Sequence, residues 1–308
     1  MTEVREIKQS DNEGLAVGVL SEKRYEIIDD TLNDGTPCKT IRGNIVLDLG
    51  NNSRLDLGFY EKSMFLKEHK ESFRYNDIKK AMENYVSVAD NNGEPTLVSA
   101  EFTVRHGKPY LSQRTNKATD SISFNVSRLR TLAEASEKRA EGMISGILLR
   151  KQPEVFGENE TGRLLITIGL VTYGQKFEPY DIIVDTDLAE AFDGMYNLND
   201  IGCFDYAIRT THVGAVKTVE SKGLGRQAKV ESGYDKTEWI LIGASDPYND
   251  EMEEYFTRDD VNPLIENRKI EFEKVEKGEG SKPTSKAKSE GLKARTVKSE
   301  IKDDELPF

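Results

Sequence analysis

Over the first half of the chain the apolar positions fall in short runs rich in β-branched residues, with turn residues between them, and this pattern predicts strands rather than helices. Residues 15–20 open a strand that continues through 25–28, and 40–49 form a second. Gly50, Asn51, Asn52 and Ser53 supply turn chemistry, after which 54–60 return as the third strand. Ile78, Met82 and Tyr85 then fall at helical spacing behind Asn76 and Asp77, which predicts a capped helix over 77–88. Residues 96–105 and 108–113 read as a hairpin around His106 and Gly107, and 121–126 complete the set.

The same order returns about 125 residues later, with Val17-Gly18-Val19-Leu20 matched by Ser145-Gly146-Ile147-Leu148. Strands over 143–150, 163–173 and 177–184 precede a short helix over 187–196, and strands over 201–211 and 238–243 follow it. Five strands with a helix between the third and fourth is the order of the OB barrel, in which that helix plugs the barrel. The sequence therefore predicts a mainly β chain of two tandem OB-fold, five-stranded Greek-key barrels. A generic β-sandwich also suits short strands, but a helix at the same place in both halves favours the barrel. The expected organisation is a first OB-like domain over 1–140, a second over 141–276 with an acidic and helical extension, and a tail over 277–308. Residues 246–260 carry seven acids against one Arg, a helix is predicted around 264–275, and 277–302 are rich in Gly, Ser, Lys and Glu with no aromatic residue. Such a segment cannot offset the entropy of ordering and is expected to be a disordered tether.

Composition narrows the function. At 308 residues, 36% hydrophobic and 32% charged, with a mean hydropathy of −0.61, the chain has a core and no apolar run long enough to span a membrane. Its amino terminus lacks a basic and apolar leader, so the cytoplasm is the expected location, in a bacterial cell or as a virus-encoded protein within one. Cys38 and Cys203 build no disulfide framework, and with only His69, His106 and His212 the sequence shows no zinc spacing, so neither metal nor cofactor is expected. Enzymatic motifs fail on inspection. Residues 157–162 have phosphate-loop spacing but Arg163 and Leu164 stand where Lys and Ser or Thr are required, and the dinucleotide-like glycines Gly223 and Gly225 precede no helix.

The net charge of −12 is unusual for a nucleic-acid binder. Its distribution is uneven: 277–302 carry eight Lys or Arg against three Glu, 303–308 carry three acids, and the body over 1–276 holds −14. An acidic body can still offer a local basic surface.

The chain ends in Asp303-Asp304-Glu305-Leu306-Pro307-Phe308. This resembles the Asp-Asp-Asp-Ile-Pro-Phe tip of the single-stranded DNA-binding protein (SSB) family, with Glu for Asp and Leu for Ile. The resemblance covers the tip and, more loosely, the OB pattern of 142–248; a divergent body behind a kept tip also suits a virus-encoded relative. It implies a protein that coats and protects single-stranded DNA in replication, recombination or repair. It further implies recruitment of partners such as polymerase, helicase, primase or nuclease through 303–308; two barrels per chain are similar to the family's dimeric arrangement, which makes a homo-oligomer one of the states the sequence leaves open. Phe308 would fill an apolar pocket, its carboxylate would pair with a basic side chain, and the acids would steer the tail.

Sequence-tolerant binding of single strands uses aromatic faces for bases and Lys or Arg for phosphates. In the second half Arg150, Lys151, Phe156, Tyr173, Lys176, Phe177, Tyr180 and Arg209 are the candidates. Lys222 and Arg226 join them, on a loop over 216–236 that is either a grip or a solvated excursion. In the first half they are Arg24, Tyr25, Arg42, Phe59, Tyr60 and Tyr110. Any of these aromatics is equally a core candidate, because strands bury every second side chain, while Trp239, flanked by Ile240 and Ile242, is expected in the core. The alternative function is a non-catalytic adaptor that recruits replication proteins through the tip without touching DNA.

Overall fold

The computed structural model describes residues 7–51, 53–66, 69–90, 93–132, 136–156, 159–219 and 228–278, with backbone alone for Phe156, 211–219 and 228–235. The chain is mainly β. Strands β1 (Asn12–Thr31), β2 (Pro37–Gly50) and β3 (Ser53–Lys62) are followed by helix α1 (Phe73–Asn84) and by β4 (Leu97–His106). A small hairpin of β5 (Tyr110–Leu111) and β6 (Ala118–Thr119) leads to β7 (Ile122–Thr131). The second half holds β8 (Arg139–Phe156), β9 (Asn159–Thr172), β10 (Lys176–Val184), α2 (Thr186–Met195), β11 (Ile201–Val219), β12 (Ala228–Ala244) and α3 (Arg258–Glu276).

The strand pairings trace closed five-stranded circuits. In the first, β1 runs antiparallel to both β2 and β4, β2 to β3, and β4 to β7, and a parallel bridge between Gly58 and Asn125 joins β3 to β7. In the second, β8 runs antiparallel to β9 and β11, β9 to β10, and β11 to β12, and a parallel bridge between Ile183 and Ile240 joins β10 to β12. Closure leaves no strand edge within a circuit to be managed. The bulge that bends β1 after Leu20 recurs in β8 after Leu148, and β7 at Ser127 and β12 at Ile242 each carry an extra residue against β4 and β11. Bulges raise local twist, which is what a small barrel needs to close.

The circuits are also stitched together. Residues 12–17 of β1 pair antiparallel with 139–144 of β8, with Gly14 opposite Gly142. Each of these glycines lies under an aromatic ring: a Cβ on Gly14 would meet Phe102 at 2.3 Å, and one on Gly142 would meet the Tyr206 hydroxyl at 2.4 Å. Only a residue without a side chain fits there. Phe124 of the first half packs on Trp239, which stacks on Tyr180 and Tyr206 with centroids at 5.4 and 4.6 Å. One buried cluster therefore contains residues of both halves, and Trp239 belongs to it as expected.

The helices and loops adjust the sequence-based expectations. Helix α1 starts at Phe73 with Ser72 as its cap, a turn earlier than Asn76 suggested, and Tyr75, Ile78, Ala81 and Met82 are its buried face. Residues 108–113 do not pair with β4, whose partners are β1 and β7; Tyr110–Leu111 and Ala118–Thr119 pair with each other in a separate two-stranded sheet, so 107–119 form a finger of their own. The predicted loop over 216–236 is largely a β-ribbon, in which β11 pairs with β12 as far as Val219 and Ala228. Lys222 and Arg226 lie outside the described residues, as do the tail and the tip over 303–308. Among the described residues no helix is long and apolar enough to cross a membrane.

Candidate nucleic-acid interface

The predicted residues separate into three groups. Phe59, Phe177 and Tyr180 are corrected to core: they are 4, 4 and 1% exposed, and no base could stack on them without opening the barrel. Burial pushes the Tyr180 phenol well above its ordinary range, with the Glu178 carboxylate adding to the effect. Lys151 is corrected to a helix cap. Its ammonium donates to the carbonyls of Asp193 and Tyr196 at the end of α2 and pairs with Asp193 at 2.6 Å, an arrangement that satisfies carbonyls the helix leaves unpaired.

The second group is exposed but already neutralised. Arg24 pairs with Glu22, Arg42 with Glu26, Arg150 with Asp181 at 3.1 Å and Arg209 with Asp185 at 3.9 Å. On the second strand face Arg150 also donates to Thr167, whose hydroxyl donates to Asp181, so the guanidinium is held in a small network. Deeper in, Arg163 sits among Glu154, Asp185 and Glu238. Although burial opposes it, hydrogen bonding from Lys236 and the charge of Arg163 hold Glu238 below its ordinary value. Exposed pairs of this kind contribute little stability, but a phosphate must displace the carboxylate to use the cation.

The third group is exposed and free. Tyr25, Tyr60, Tyr110 and Tyr173 present their rings to solvent, and Tyr173, at the β9–β10 turn, is 82% exposed. Tyr60 donates its hydroxyl to Asp30 at 3.3 Å, which leaves its ring face available. Lys176 is exposed, and among the described residues it enters no ion pair. The side chain of Phe156 lies outside the described residues.

Sequence reasoning passed over the strongest basic feature. Between Glu101 and Asp120 the chain contains Arg105, Lys108, Arg114 and Lys117 and no acid. All four are exposed, and among the described residues none is ion-paired. The last three ride on the finger between β4 and β7 together with the exposed Tyr110 and Leu111. The connection between the fourth and fifth strands of an OB barrel is where oligonucleotides are gripped.

At the foot of the finger a groove of about 1180 Å³ crosses the seam between the circuits. Arg74 and Arg105 enter it from the first half, Tyr173 and Lys176 from the second, and Glu13, Glu101, Glu141 and Asp205 also line it. A second, more apolar pocket of about 760 Å³ lies on the β8–β9–β10–β12 face, floored by Leu165, Ile183 and Trp239. His106 borders both. The arrangement can hold an extended polyanion by its phosphates at the finger and offer rings and apolar walls beside it. No His, Cys or carboxylate cluster among the described residues is arranged to hold a metal ion.

No curated protein sequence matches the chain. Among solved structures, a deletion mutant of the single-stranded DNA-binding protein from Thermus aquaticus is similar at 11% identity and a TM-score of 0.41, covering 79% of this chain and 97% of that one. The wild-type form of that protein is similar at 9% identity and the same TM-score, covering 79% and 95%. The sequence from residue 12 to residue 278, from the first residue of β1 to just beyond the end of α3, matches the YorF family, and the chain belongs to that family.

Proposed function

We propose that this protein binds single-stranded DNA without sequence preference, as a non-catalytic coating protein of two OB-type domains over 1–140 and 141–276. Its last six residues, at the end of the tail over 277–308, recruit replication or repair proteins. The observation that carries the reading is the finger: among the described residues, three unpaired cations and an exposed Tyr on the connection between the fourth and fifth strands, with a fourth unpaired cation, Arg105, at the end of β4, in a body that is otherwise strongly acidic. Phosphates bind the finger, and Tyr173 and Tyr110 stack bases beside it. Recruitment through 303–308 rests on the resemblance of the tip, and a cytoplasmic location accords with both activities.

The adaptor reading also has an observation in its favour, since Arg24, Arg42, Arg150 and Arg209 on the strand faces are neutralised by carboxylates. Fluorescence anisotropy with labelled oligo-dT at two salt concentrations decides between them. Tight, salt-sensitive binding supports the proposal, and no binding at low salt leaves the adaptor. Removing 303–308 is expected to abolish capture of a replication partner while leaving oligo-dT affinity unchanged or higher, because the acids no longer compete for basic surface.

A further inference from the structure

We propose that α3 is a strut that sets the position of the basic finger, with Arg268 as its joint. The inference rests on the finger's being the nucleic-acid contact. α3 is not part of either five-stranded circuit. Its start is fixed by a capping box in which Thr257 and Asp260 exchange hydrogen bonds, and its first half is seated on the second circuit, where Phe256 and Val261 are buried with Ile147, Val171 and Phe177. Its far end reaches the first half, where the Glu276 carboxylate accepts from the Ala118 N–H at 3.0 Å.

Between these ends Arg268 ties both roots of the finger to the second circuit. Its guanidinium donates to the Phe177 carbonyl at 3.2 Å and to the Asp120 carboxylate, and it lies 3.2 Å from His106 Nδ1. His106 and Asp120 are the residues immediately before and after the finger, and they face each other at 2.9 Å. The His106 Nε2–H donates to the Pro179 carbonyl at 2.9 Å, and its backbone N–H donates to Glu178 at 3.1 Å. Glu178 is only 7% exposed and also accepts from the Tyr180 hydroxyl at 2.6 Å and from Thr172 at 3.2 Å. A planar fork with donors in fixed directions suits a joint of this kind, where a lysine's rotatable ammonium would not hold its partners in one plane. Among the described residues the finger's cations enter no ion pair that would hold them in place, so their position relative to Tyr173 and the groove is inherited from this joint.

The test is a thermodynamic cycle on the full chain, read by oligo-dT binding over a salt series. Arg268→Ala is expected to lose at least half of the finger's share of the salt slope, about 1 of about 2.1 for Lys108, Arg114 and Lys117. It should have no further effect when Lys108, Arg114 and Lys117 are already Ala. Arg268→Lys should fall between. Hydrogen exchange of residues 107–119 should quicken in Arg268→Ala. Glu276→Ala, at an exposed helix end, should show the same trend and keeps the test open if Arg268→Ala fails to fold. Equal slopes for Arg268→Ala and the wild type, or a loss that persists in the finger-neutralised background, would overturn the strut. A wild type that does not bind oligo-dT would overturn the reading beneath it instead.

Discussion

Replacing Arg105, Lys108, Arg114 and Lys117 together by Ala tests the functional reading at its source. Because all four side chains are exposed and unpaired, the folded state loses no ion pair, and surface changes of this kind shift stability by within about 0.5 kcal/mol each. Each phosphate contact to a single strand adds about −0.7 to the slope of log K against log salt, so four contacts add about −2.8. Between about 50 and about 200 mM salt the wild type should therefore lose about 50-fold more affinity than the variant. The assay is anisotropy of a labelled oligo-dT across that range, with thermal unfolding as a control on the fold. A variant that keeps the full wild-type slope would refute the reasoning and move the phosphate contacts to the basic segment over 277–302, which carries its own excess of Lys and Arg.

Tyr173→Ala removes a ring that is 82% exposed, so it should leave the unfolding midpoint unchanged while weakening oligo-dT binding by about 1–3 kcal/mol; unchanged binding would exclude Tyr173 as a stacking platform. The Tyr206 hydroxyl is buried and, among the described residues, has no hydrogen-bond partner, so Tyr206→Phe should be neutral or stabilising by up to about 1–3 kcal/mol in urea unfolding, and a clear loss would show that the hydroxyl is satisfied. Hydrogen bonds from Thr40 and from the Thr31 N–H, with the charge of Lys62, hold Asp30 down at about 2 against an ordinary 3.8. A depressed carboxylate stabilises the fold above its unfolded value and loses that contribution as pH falls, here between about 4 and about 2, so Asp30→Asn should flatten the stability profile across that window; an unaltered profile would refute the assignment.

Strand order was legible because every strand carries its own apolar pattern, and the helix between the third and fourth strands marked the topology. Trp239 could be placed in the core from its apolar neighbours alone. The misplaced aromatics have a physical cause. Alternation identifies exposed faces only when one side of a strand meets water, and β10 is covered on both: Phe177 packs under α3, and Tyr180 stacks on Trp239 and touches His106. The early start of α1 was missed because Phe73 is exposed and breaks the apolar spacing, so the capping role of Ser72 had no periodic signal behind it. The pairing of β1 with β8 leaves no local trace at all, although Gly14 and Gly142, each beneath a ring, are its residue-level consequence. The finger was readable but by another signal, an absence of acids from Arg105 to Lys117, which a search for apolar periodicity does not see.

The two halves differ where the strand circuits constrain them least. Their strand orders and first-strand bulges correspond, yet the connection between fourth and fifth strands is a short anchored finger in one and a long β-ribbon in the other. On the strand faces, where the halves remain alike, the predicted arginines are held by carboxylates, and any phosphate arriving there must first break an ion pair. Among the described residues the finger gathers three exposed cations without an ion pair on an element outside both circuits. On the proposed function, a chain whose body repels polyanions binds one through this local basic element, and at low salt the remaining acids limit how much further the strand spreads over the body. Affinity on this arrangement is set by the finger's charge and position, and the barrels supply the frame that fixes them.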